Sequence, residues 1–159
     1  MKKLLWIVVL GLLLSGNAYA SDWPGLKNLY KFNLKLDISM SAEGKKCGIK
    51  ESDIERNIRY IIGTSKIKFS DEYNLEQFYF TSMIKGGGDI ACSASTILMT
   101  YTWDTILNKS NVPFDGMRNS HLQHATILAM PENFKSSYLN QIDDMLKNFV
   151  IAWINANGE

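Results

Sequence analysis

Strong charge of either sign is missing from this chain. Its 17 Lys and Arg stand against 16 Asp and Glu, a formal net charge of +1. A nucleic-acid surface needs a concentrated basic patch to neutralise phosphates, so nucleic acid is not an expected partner. A second long hydrophobic run is missing too. After the amino terminus no apolar stretch approaches the roughly 18 residues of a spanning helix, and none has the cationic amphipathic pattern of a membrane-surface helix. Only two cysteines and two histidines are present, and no C-x-x-C pair occurs. The two thiols stand 45 residues apart and the histidines lie far from both, a spacing that gives no redox dithiol and does not easily assemble a zinc site, so no metal and no cofactor are expected.

The amino terminus itself is informative. Lys2 and Lys3 precede an apolar run from Leu4 to Leu14, and Ala18-Tyr19-Ala20 supplies the small-x-small pattern that signal peptidase accepts. The run is too short for a bilayer span. Residues 1–20 therefore read as a cleaved signal peptide, and residues 21–159 as a single α+β domain of ordinary size. The leader takes two of the 17 basic residues and none of the 16 acids, which leaves a mature charge near −1. No cysteine lies near the cleavage point, so lipid attachment is not expected. The expected location is outside the cytoplasm, in the periplasm of a Gram-negative bacterium.

Export changes the meaning of the cysteines. Cys47 and Cys92 can form one intramolecular bridge, and an oxidising compartment keeps such bridges closed. A structural disulfide is the expected state, worth about 3–4 kcal/mol by the loop-entropy argument.

Tyr30 to Met40 alternates apolar and polar residues with period two, the pattern of a strand with one wet face. Ser52-Asp53-Ile54-Glu55 has capping-box spacing, and Ile54, Ile58, Ile61 and Ile62 recur at helical intervals before Gly63, so a helix is predicted over 51–62. A short strand is expected over 65–69. Gln77 to Ile84 and Ile90 to Trp103 are rich in β-branched and aromatic residues and flank Gly86-Gly87-Gly88, which reads as a hairpin with a glycine turn. Apolar residues at both parities of the second strand imply covering, at least in part, on both of its faces. Thr105 to Asn119, with Pro113, Gly116 and several asparagines, reads as a long loop or an irregular strand continuation. Leu122 to Met130 recovers strand character, and Pro131-Glu132 opens a helix whose apolar residues, from Phe134 to Ile154, fall three and four apart. The predicted architecture is α+β: a single, mostly antiparallel sheet of four to five strands with two helices packed on one face.

The candidate chemistries are weak. The glycine triplet lacks the lysine and hydroxyl that close a phosphate loop and precedes a strand, so a turn is the better reading. His121 and His124 lie three apart, which on a strand sends them to opposite faces and argues against a shared metal. Ser93 and Ser95 have no strand-to-helix elbow to expose a nucleophile. Asp143 and Asp144 splay on the last helix and read as a solvated face. A hydrolase would have to bring Asp104 and Asp115 to one of the histidines. Tyr101, Trp103 and Phe114 are grouped about the least regular segment and form a candidate binding surface for a partner or a small apolar ligand. No catalytic residues are assigned.

Cys47-Gly48-Ile49 before the capped helix, Ser65-Lys66-Ile67 after it, Cys92 entering a long strand, Trp103 at its end and a last helix through Phe149 and Trp153 carry a resemblance. The chain resembles a widespread type of small exported bacterial α/β protein of unassigned function with a two-cysteine staple. In layout it is also similar to periplasmic accessory domains of envelope transport assemblies, which pack two helices on one sheet face and work through partners. The resemblance implies a cystine-stapled domain and carries over no catalytic residue. The expectation is a non-enzymatic interaction or accessory protein of the cell envelope, with a small-ligand carrier as the competing reading and the oligomeric state open.

Overall fold

The computed structural model describes residues 24–72, 76–87, 90–107 and 113–158, without the side chains of residues 24, 103–107 and 113–120. The leader expected over residues 1–20 lies outside these. A short 3-10 turn, Pro24–Leu26, precedes strand β1, Lys31–Met40. The period-two pattern does what it predicts: Phe32 is buried, Leu34, Leu36, Ile38 and Met40 lean on the core, and Lys35, Asp37 and Ser39 face outward.

A second 3-10 turn, Gly44–Cys47, leads into helix α1, Glu51–Gly63. Ile54, Ile58 and Ile62 form its buried stripe. The capping differs from the Ser52–Glu55 expectation. The helix starts one residue before Ser52, and it is Asp53 in the first turn whose carboxylate accepts the Lys50 N–H at 3.2 Å. Glu55 instead pairs with Arg59 at 2.8 Å, one turn along. Strand β2 is only Lys68–Phe69, shorter than expected because Ser65 closes the helix end. Its hydroxyl donates to Ile62 O at 2.6 Å and accepts the Ile67 N–H at 3.1 Å.

Strands β3 (Gln77–Gly87), β4 (Ala91–Leu107) and β5 (Pro113–Ala129) follow, and helix α2 (Pro131–Asn157) ends at Gly158 in the left-handed region, φ 69°. The sheet order is β2-β1-β3-β4-β5, with β1 parallel to β2 and β3 and the other neighbours antiparallel. This is the predicted α+β fold with a mostly antiparallel sheet. Within 105–119 the described residues follow the strand-continuation alternative. β4 runs on to Leu107 and β5 begins at Pro113, in register from Thr102↔Arg118 to Leu107↔Pro113 beyond the end of β3. Proline is compatible with the first position of a strand, and the partner strand supplies the hydrogen bonds that this segment's composition alone would not ensure. The ladder jumps from Thr100↔His121 to Tyr101↔Asn119, a bulge that lets two strands of unequal count stay paired.

Both helices lie on one face. Phe32, Phe78 and Phe149 meet edge to face there, with ring centroids 5.1–6.3 Å apart. Gly86 and Gly87 end β3 rather than forming the whole turn. A Cβ at Gly86 would stand 2.6 Å from Glu43 O, and one at Gly44 would stand 2.5 Å from Ile84 O. Glycine at both positions lets the second 3-10 turn lie against β3. The Cys47–Cys92 disulfide, with Cα atoms 6.0 Å apart, ties the same turn to the buried face of β4.

Candidate functional site

The strands carry two different faces. Toward the helices, β4 presents Cys92, Ala94, Thr96, Leu98, Thr100 and Thr102, all buried. The opposite parity, Ser93, Ser95, Ile97, Met99 and Tyr101, is half-buried or exposed. The second β4 face is therefore covered only in part, with no helix over it among the described residues. Among the described residues both helices sit on one side, and the apolar side chains of the other side are shielded only by neighbours across the strands.

Cross-strand register defines that open face. Tyr79, Met99 and Leu122 form one row, Thr81, Ile97 and His124 the next, and Met83, Ser95 and Thr126 a third. Met83 and Leu122 are 50% and 49% exposed. Tyr101 donates its hydroxyl proton to Met99 Sδ at 2.9 Å, and its ring meets Tyr79 edge to face at 6.3 Å. Lys35 and Asp37 of β1 flank the face on one side. Its centre is thus a shallow apolar strip with a polar border. Of the residues singled out from sequence, Tyr101 lies on this strip. Trp103 and Phe114 have side chains outside the described residues; their backbones belong to the β4–β5 extension, Trp103 opposite Met117 and Phe114 opposite Ile106.

The two histidines do separate. His124 faces the open side, 3.1 Å from Ser95 Oγ. His121 is buried toward α2, edge to face with Phe149 at 5.2 Å. Gln123 Nε2 lies 2.7 Å from His121 Nε2 and donates to Met145 O at 3.0 Å. An amide nitrogen only donates, so the imidazole accepts and is neutral. Burial holds its pKa down at about 4. The acids of the hydrolase reading stand away from it. Asp115 pairs with Thr105, five residues along β4 from the Thr100 opposite His121, and Asp104 pairs with Gly116. At about 3.4 Å per residue the backbones of Asp115 and His121 are roughly 17 Å apart. Asp143 accepts from Asn57 Nδ2 at 2.6 Å and helps join the helices.

Between α2 and the outer edge of β5 runs a cleft of about 720 Å³, lined among others by Gln123, Asn140, Gln141, Asp144 and Asn148. Gln141 Nε2 donates to Thr126 O at 3.1 Å across it. This edge was not singled out from sequence. The usable signal was the stretch His121 to Ala129, which contains no charged residue other than its histidines and no proline or glycine.

No protein-family model matches the chain, and no curated protein matches it. Among solved structures, a minor lipoprotein from Acinetobacter baumannii is similar over 81% of this chain and 94% of its own, at 14% identity and a TM-score of 0.37.

Proposed function

We propose that this protein is an exported, non-enzymatic interaction domain of the bacterial cell envelope, acting in the periplasm by presenting the open face of its sheet to a protein partner. The observation that carries the reading is the partly exposed apolar strip of Tyr79, Ile97, Met99, Tyr101 and Leu122 on a sheet whose other face is filled by helices. A monomer keeps exposed apolar area small unless the area is used.

Export is supported by the leader pattern of residues 1–20 and by the Cys47–Cys92 bridge, which persists in an oxidising compartment. Among the described residues no helix is long and apolar enough to cross a membrane. Chemical crosslinking in intact cells, followed by mass spectrometry, tests the function. The reading expects one reproducible envelope protein linked to the open face, reduced at least tenfold by Met99→Glu. Recovery of this chain alone, or an unchanged yield with Met99→Glu, removes it. Release of a chain starting at Ser21 by osmotic shock tests the location, and retention of Met1 to Ala20 in the cytoplasmic fraction contradicts it.

A further inference from the structure

Hydrogen-bonding parity can be followed across the sheet. Asn33 N–H donates to Glu76 O at 2.7 Å, so the even residues of β3 face β1 and the odd ones face β4. In an antiparallel ladder the N–H and C=O of one residue point to the same side and alternate along the strand. The odd residues of β5 in the stretch 121–129 therefore bond to β4. Leu122, His124, Thr126 and Leu128 point to the outer edge, as the Gln141 bond to Thr126 O shows. Among the described residues no strand pairs with that edge.

The two edges of the sheet are treated differently. At the far edge β2 covers Lys31 and Phe32, and the rest of β1 carries Lys35 and Asp37 on its exposed face. Charges of that kind discourage an added strand. From His121 to Ala129, β5 has no lysine, arginine, acid, proline or glycine, and it exposes Leu122 and Leu128, at 49% and 74%. An edge without those safeguards accepts another strand readily.

We infer that the occupant is a second copy of this chain, added antiparallel through β5 about a two-fold axis at Ala125. This is the register that pairs all four edge-facing residues among themselves. Leu122 then bonds with Leu128 of the second copy, His124 with its Thr126, and the reverse by symmetry. On the outer face each exposed leucine meets its counterpart, so two isolated apolar side chains become two cross-strand pairs. Ala125 meets itself, and its small side chain suits the close approach of a pair without mutual hydrogen bonds. Gln141 now occupies Thr126 O as an incoming N–H would, and in the dimer the His124 N–H of the second copy takes that place. The two sheets join into one, and the open face proposed for partner binding is doubled. The dimer stands apart from that reading and can hold or fail without it.

The test is the mass of the protein purified from cells, by sedimentation and light scattering over a concentration series. A dimer of twice the monomer mass is expected. Thr126→Pro removes an edge N–H that β4 does not use, and Leu128→Lys adds a charge at an exposed site. Each is expected to weaken self-association roughly tenfold or more while the thermal unfolding of the monomer stays near wild type. Ala125→Cys is expected to give a covalent dimer without reductant, whereas Thr81→Cys, mid-sheet, is not. A wild-type monomer across the series overturns the inference. So does dimerisation unaffected by Leu128→Lys, or Ala125→Cys linking no faster than Thr81→Cys.

Discussion

Tyr138 of α2 donates its hydroxyl proton to Ser82 Oγ of β3 at 2.5 Å. Ser82 Oγ lies 3.0 Å from Thr96 Oγ1 of β4, and Thr96 Oγ1 donates back to Tyr138 at 3.3 Å. Three buried hydroxyls on three elements thus form a closed ring. Burial raises the Tyr138 pKa despite these bonds, so the phenol stays protonated and available as a donor. Tyr138→Phe leaves Ser82 and Thr96 short of a partner in an apolar setting, at an expected cost of about 1–3 kcal/mol. Urea unfolding measures it, and adding Ser82→Ala and Thr96→Val should recover part of the loss.

The Cys47–Cys92 bridge stabilises by restricting the unfolded chain. Cys47 and Cys92 enclose a segment with a sequence separation of 45. Closing a loop of that size is worth roughly 4 kcal/mol, strain aside. Reductant, or paired Cys→Ser variants, should lower the unfolding midpoint accordingly, and a midpoint unchanged by reductant would contradict the estimate.

Acid should destabilise the protein in two separate windows. His121 has its pKa lowered by burial from 6.5 to about 4. Above pH 6.5 both folded and unfolded states are neutral there and nothing is lost. Between 6.5 and 4 the unfolded chain takes up a proton that the folded chain refuses, so stability falls, by about 3 kcal/mol in all. Asp53, paired with Lys135 and Arg56 at 2.8 and 2.9 Å, also has a lowered pKa, chiefly through the Lys135 hydrogen bond. Its contribution is present above the ordinary carboxylate range and is lost only at lower pH. His121→Phe should flatten the upper window and leave the lower one.

Much of this architecture was legible from residue order. The alternation of Tyr30 to Met40 placed β1, and the spacing of Ile54, Ile58 and Ile62 placed α1. The two cysteines pointed to a bridge. For 105–119 loop and strand continuation both stayed open because proline, glycine and asparagine signal local breaks, whereas what holds residues 105–107 and 113–119 extended is a ladder between β4 and β5 that no local pattern encodes. The same limit hid the open face. Apolar residues on both parities of β4 suggested at least partial cover on both faces, and only the placement of both helices on one side separates a buried strand from a half-bare one. The β5 edge left one trace in the sequence, the stretch His121 to Ala129 without lysine, arginine, acid, proline or glycine, but that it is an edge follows from sheet order alone.

Substitutions on the open face should be mild for folding. Met99 is half-buried by its neighbours, and Met99→Glu is expected to cost about 1 kcal/mol or less while removing partner capture. Thermal unfolding and co-purification, run side by side, distinguish a lost surface from a lost fold.

The most direct measurement is site-specific photo-crosslinking in living cells, with the reactive residue placed at Thr81 on the open face and, as a control, at exposed Ser52 on α1. The account predicts one abundant crosslinked envelope protein from Thr81 and none from Ser52. Equal labelling from both positions, or none from Thr81, would contradict it.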